Sequence, residues 1–125
     1  FEWKRIKGIG EKRAIDIINY KKALGGFIKV SQLNEVYSIS DSLFNSFQQY
    51  LQIKDSSTVK INLNTCSKEE LKKHPYVKWN IANAIINFRE QHGIFKALED
   101  LKKIHILKDD LYFIIVPYIT INKSI

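Results

Sequence analysis

Gly8-Ile9-Gly10, preceded by Lys7 and followed by Glu11-Lys12-Arg13-Ala14, is the part of this sequence best suited to chemistry with an anion. Glycines tolerate positive φ, so a tight turn built on two of them can present consecutive backbone N–H groups at a helix start. Ile9, between them, is expected to point inward and anchor the turn. Lys4, Arg5, Lys7, Lys12 and Arg13 face one acid, Glu11, which makes residues 4–13 the most positive short stretch available. For a chain of formal charge +7, the anion that fits best is a nucleic-acid phosphate. The competing reading is a helix-entry turn with no ligand, which glycine pairs also form.

Other chemistry finds little support. His74, His92 and His105 have no partner at metal-ligand spacing, and Cys66 has no convincing base nearby in sequence. Asp109-Asp110 reads as a helix start rather than an acid/base pair. The sequence therefore points to no active site, no metal and no cofactor. A single cysteine excludes an intrachain disulfide framework. A hydrophobic fraction of 45% with 12% aromatics provides for a proper interior and argues against disorder. No apolar run approaches the length that crosses a bilayer. Phe1 lies only a few residues before the glycine turn, which leaves little room for a preceding helix and suggests a fragment of a longer protein.

The elements that must position the turn repeat along the chain. Shifted by 68 positions, the halves register without a gap. Ala14 meets Ala82, Ile17-Ile18-Asn19 meets Ile85-Ile86-Asn87, Gly25 meets Gly93, Phe27 meets Phe95 and Leu33 meets Leu101. Further on, Asp41 meets Asp109, Leu43 meets Leu111 and Tyr50 meets Tyr118. Duplication follows, with a first unit at 1–54, a polar linker at 55–60 and a second unit at 61–125. Each unit reads as short helices. Helices are expected over Glu11 to Leu24, with Ala14, Ile17 and Ile18 inward, and over Trp79 to Gln91, with Ala82, Ile85 and Ile86 inward. Ser67-x-x-Glu70 has the form of a capping box, Ser31 and Glu99 open one-turn helices, and Asp41 and Asp109 begin the last helix of each unit. Pro117 should stop the second of these near Val116. Val59 to Leu63 and Tyr118 to Ile121 alternate like short extended segments. Trp3, Tyr20 and the phenylalanines read as core. Trp79, whose repeat counterpart is Glu11, is expected to be exposed beside a turn.

The run from Ile6-Lys7-Gly8-Ile9-Gly10 through Gly25-Gly26-Phe27 to Leu33 resembles the helix-hairpin-helix motif. Together with Ile61-Asn62-Leu63-Asn64-Thr65, Ser67 to Leu71, Ala84 to Arg89, Gly93-Ile94-Phe95 and Leu98 to Leu101, it resembles the doubled form in DNA-uptake competence proteins of the ComEA type. The resemblance implies an all-α protein of two tandem double-hairpin units, each of the five-helix SAM-like type. It implies hairpins at Gly8-Ile9-Gly10, Ser38-Ile39-Ser40, Tyr76-Val77-Lys78 and Ile106-Leu107-Lys108. It further implies sequence-independent binding of duplex DNA, a role in DNA uptake or processing, and an exported or membrane-anchored setting, with a cytoplasmic one equally compatible. A monovalent cation held by hairpin carbonyls also belongs to that resemblance. Only the first hairpin keeps both glycines, so phosphate contact is expected from Gly8, Ile9, Gly10, Lys7, Lys12 and Arg13. Ser38, Ser40, Lys78 and Lys108 are weaker contacts. The fourth turn, with β-branched Ile106 at a glycine position, is expected to have changed shape. The erosion of three hairpins leaves a second reading open, a protein–protein scaffold, with an exposed apolar patch around Trp79 and Tyr76.

Overall fold

Helix α1 (Gly10–Leu24) begins in the Gly-Ile-Gly turn and ends where Gly25 enters the left-handed region at φ 98°, its N–H donating to the Lys21 carbonyl. The computed structural model describes residues 8–53 and 57–121. Trp3, Lys4, Arg5 and Lys7 lie outside the described residues, as do positions 54–56 of the expected linker. The chain divides into two compact units, 1–58 and 59–125.

In the first unit α1 is followed by a 3-10 helix (Val30–Glu35), helix α2 (Asp41–Phe47) and a 3-10 turn (Gln48–Tyr50). The second unit holds strand β1 (Ile61–Asn62), helices α3 (Lys68–Lys72) and α4 (Trp79–His92), a 3-10 helix (Leu98–Lys103), helix α5 (Asp109–Ile115), a 3-10 turn (Val116–Tyr118) and strand β2 (Ile119–Thr120). From the first 3-10 helix to the 3-10 turn, the bounds in the two units differ by 68, the register of the sequence repeat. Pro117 falls early in the last 3-10 turn, where its missing N–H does no harm, and α5 stops at Ile115 just before it.

Two local expectations change, and a third is borne out. Ile17 is fully buried, but Ile18 stays 45% exposed although its counterpart Ile86 is buried. Adjacent residues on a helix point about 100° apart, so α1 commits only one of the two to its interior. The 3-10 helices are not opened by Ser31 and Glu99. Instead the Gln32 side chain reaches back to accept from Ile28 N–H (2.7 Å) and Lys29 N–H (3.3 Å). Its counterpart Asp100 likewise accepts from Lys96 N–H (3.0 Å) and Ala97 N–H (3.3 Å). Those bonds, the Lys96 amide foremost, hold the Asp100 carboxyl below the usual carboxylate range. Finally, the short extended segments pair: β1 and β2 run parallel, with Ile61 opposite Ile119.

The second unit is stitched to its own amino-terminal segment by polar side chains. Asn64 clasps Phe95, accepting from its N–H at 2.7 Å and donating to its carbonyl at 3.0 Å. Arg89 donates from one nitrogen to the carbonyls of Leu63 (3.0 Å) and Cys66 (2.8 Å). Both clasps hold backbone that frames a core containing Leu63, Leu71, Ile85, Phe95 and Leu101, all fully buried. Loss of a partner from a buried hydrogen bond costs about 1–3 kcal/mol. Asn64→Ala should therefore destabilise the second unit by about 2 kcal/mol, read as a lower urea midpoint at unchanged slope, whereas Asn45→Ala on the exposed side of α2 should leave the midpoint in place.

Candidate nucleic-acid interface

Four turns carry a buried middle residue, and the residue that follows it is exposed in each. Ile9, Ile39, Val77 and Leu107 are each at most 4% exposed. An inward middle side chain forces the flanking backbone toward solvent, and the dihedrals of that backbone decide what each turn can hold. At the first turn Gly8 has φ +93° and Gly10 has φ +69°, and both are exposed. A Cβ on Gly8 would also lie 2.7 Å from the end of the Leu43 side chain. Gly10 has open space around it, so only its dihedral demands glycine there.

The other three turns have a different shape, and the same one. No residue other than glycine has a positive φ among the described residues. Ser40, Lys78 and Lys108 are all extended, at φ −73°, −77° and −75° with ψ between 162° and 164°. The middle amide is already paired in each: Ile39 to Val36 O at 3.0 Å, Val77 to His74 O at 3.0 Å and Leu107 to Ile104 O at 3.1 Å. The change expected for the Ile106 turn is thus common to three turns. Staying at negative φ spares Ser38, Tyr76 and Ile106 the strain of the left-handed region.

Arg13 ties two turns together. Its Nε donates to the Ser38 carbonyl at 3.0 Å and one terminal nitrogen donates to the Gly8 carbonyl at 3.3 Å. The guanidinium therefore bridges the first and second hairpins, and its remaining N–H groups sit beside both. Lys12 is exposed on the first turn of α1, next to Glu11.

The weaker candidates are placed as follows. The Ser40 hydroxyl caps α2, accepting from Leu43 N–H at 3.1 Å. The Ser38 hydroxyl is enclosed and without a partner among the described residues, so it does not face a ligand. Lys78 and Lys108 are exposed at the starts of α4 and α5. Asp41 and the pair Asp109 and Asp110 place carboxylates in the first turns of α2 and α5, where they compete with any incoming anion. The first turn of α4 contains no acid.

Tyr76 does not join an exposed patch. It is half-buried, its ring 5.4 Å from that of His74 and 5.8 Å from that of Tyr118, and its N–H donates to His74 Nδ1 at 3.1 Å. His74 is buried within this cluster, while Trp79 is 68% exposed. Burial pushes the Cys66 thiol up, an effect that Arg89 only partly offsets. Such a thiol is a poor nucleophile. Among the described residues no group of three or more His, Cys, Asp or Glu is arranged to hold a metal ion. No helix among them is long and apolar enough to cross a membrane.

Sequence reasoning missed the Arg13 bridge, which joins residues 25 apart and leaves no periodic mark. It also passed over a signal that was present, the absence of any Asp or Glu from Leu71 through Arg89.

The profile of the helix-hairpin-helix motif matches residues 2–52 and again 56–120. Endonuclease/exonuclease/phosphatase family domain-containing protein 1 of Danio rerio is 26% identical over 117 residues, covering 79% of this chain and 21% of that protein. The chain thus spans about a fifth of the length of the curated relative it matches. With two turns of intact or altered hairpin form in each unit and the motif matched across nearly all its length, the chain belongs to the helix-hairpin-helix family.

Proposed function

We propose that this chain binds duplex DNA without sequence preference, through phosphate contacts at Gly8-Ile9-Gly10. Family membership points to nucleic-acid binding in general. The observation that carries the sharper reading is the pair of exposed left-handed glycines around buried Ile9, at the start of the fifteen-residue helix α1. Backbone N–H groups there suit phosphate oxygens, helped by the positive end of the helix. Lys12 adds charge, and Lys7 does so by its place in the sequence. Arg13 keeps the turn in position while offering its remaining donors. Contacts of this kind place a protein on DNA but read no bases. The fold we assign to each unit is the double hairpin of the five-helix SAM-like type.

A role in DNA uptake or processing, in an exported or membrane-anchored setting, rests on the likeness to ComEA-type proteins. On this reading the chain has no catalytic function of its own. The relative from Danio rerio carries a nuclease-like domain name over a protein of which this chain covers a fifth. That is consistent with a DNA-holding segment that serves chemistry done elsewhere. The second reading, a protein–protein scaffold, is favoured by Asp41, Asp109 and Asp110, which occupy the anion-binding ends of two helices.

A salt titration on a short duplex separates these readings. Wild type should bind on the order of 10⁻⁴–10⁻⁶ M at physiological salt, with a log–log slope near −0.9 per phosphate neutralised. Lys12→Gln, on an exposed side chain, should make that slope shallower by about 0.9 for any sequence. Gly10→Val should weaken binding while circular dichroism shows α1 intact. No binding by wild type at low salt, or equal affinities across the three proteins, would remove this turn from DNA recognition.

The Arg13 bridge makes a separate prediction. Arg13→Lys keeps the charge but cannot fork between two carbonyls. It should lower unfolding stability by about 1 kcal/mol and weaken DNA binding, although net charge is unchanged. Binding equal to that of wild type would show that the bridge is irrelevant to the interface.

A further inference from the structure

Trp79 is an indole with nothing to do in its own unit. It is the first residue of α4 and 68% exposed, whereas α4 buries Ile81, Ala82, Ile85 and Ile86. Phe113, also exposed, lies beneath the Lys102 ammonium, 5.2 Å from its ring centroid. Trp79 has no ring or cation neighbour of this kind among the described residues. Its surroundings in the sequence carry basic residues and no acid. From Leu71 through Arg89 there is no acidic residue, and Lys72, Lys73 and Lys78 are all exposed. Arg89 is not part of this surface, because its guanidinium is turned to the Leu63 and Cys66 carbonyls. The adjacent side chain, Asn80, directs its carbonyl oxygen to Ile81 N–H at 3.0 Å and remains exposed.

An exposed ring in a stretch of sequence that carries exposed lysines and no carboxylate suits one partner better than others. An acidic protein surface would match the charge but gives an indole little to lie on. A nucleic acid supplies both halves, phosphates for the lysines and a base face for the ring. In an intact duplex the base faces are stacked and closed, so the ring selects strands whose bases are open.

We propose that the surface formed by Trp79, Lys78, Lys72 and Lys73 binds single-stranded nucleic acid, with the Trp79 indole stacked on an unpaired base. This goes beyond the duplex contact assigned to the Gly8 turn and uses residues of the other unit. Its failure and that of the duplex reading are separable, since Lys12→Gln tests one and Trp79 the other.

The experiment uses the full chain with Trp3→Phe, so that Trp79 is the only indole. It compares a twelve-residue oligothymidylate, an abasic strand of the same length and charge, and a blunt duplex. The chain should bind oligothymidylate roughly 10-fold more tightly than the abasic strand, with quenching of indole fluorescence. Trp79→Ala should abolish that preference and change duplex affinity less than 2-fold, while Trp79→Phe should restore most of the preference. Equal affinity for the oligothymidylate and abasic strands, or unquenched fluorescence at saturation, would overturn the proposal. So would equal loss on strand and duplex in Trp79→Ala, or no strand binding at all.

Discussion

The inward burial of one apolar side chain at each turn is the constraint from which the rest follows. Ile9, Ile39, Val77 and Leu107 are each held in the core of their own unit, and the backbone on either side is thereby pressed outward. That much is common to all four turns and sets where helices α1, α2, α4 and α5 begin. What the pressed-out backbone can do depends on a second condition, the sign of φ. Among the residues of these turns only Gly8 and Gly10 take positive φ, the condition under which successive amides can face a common anion. In the other turns the residue before the helix is extended and the middle amide is bonded within the turn.

The same scaffold has therefore been put to unequal uses. In the first unit Arg13 spans both turns, so an open turn and a closed one are held as a single surface. In the second unit the place of Gly8 is taken by Tyr76, and its ring completes an aromatic cluster with His74 and Tyr118 instead of leaving bare backbone. Acids at the starts of α2 and α5 stabilise those helix ends by the same electrostatics that would attract a phosphate. Fold and ligand compete for one set of amides there, and the fold has it.

Much of the fold was legible because the repeat printed it twice. Glycine, aromatic and cap positions recur at one offset, and the helices α1, α2, α4 and α5 follow that register. Ser67 does accept the Glu70 amide as its spacing implied, at 3.1 Å. Less legible were features set by contacts between distant residues. Arg13 looked like a phosphate ligand on charge alone, but its geometry shows a brace as well. Tyr76 was expected in an exposed apolar patch with Trp79, but the ring turns inward to Tyr118, 42 positions away. The choice between Ser31 and Gln32 as a cap depended on side-chain reach, which residue type alone does not settle. Ile18 escaped its pattern because the helical stripe is narrower in one copy than in the other.

The central claim is that amides at one bend meet phosphate, and glycine amides are few enough here to be followed one by one. A titration of the nitrogen-15 labelled chain with a short duplex, followed by two-dimensional NMR, reads them directly. The account predicts saturable shifts at Gly8 and Gly10, reversed by added salt, while Gly25, Gly26 and Gly93 stay still. Binding that leaves Gly8 and Gly10 unmoved would contradict it.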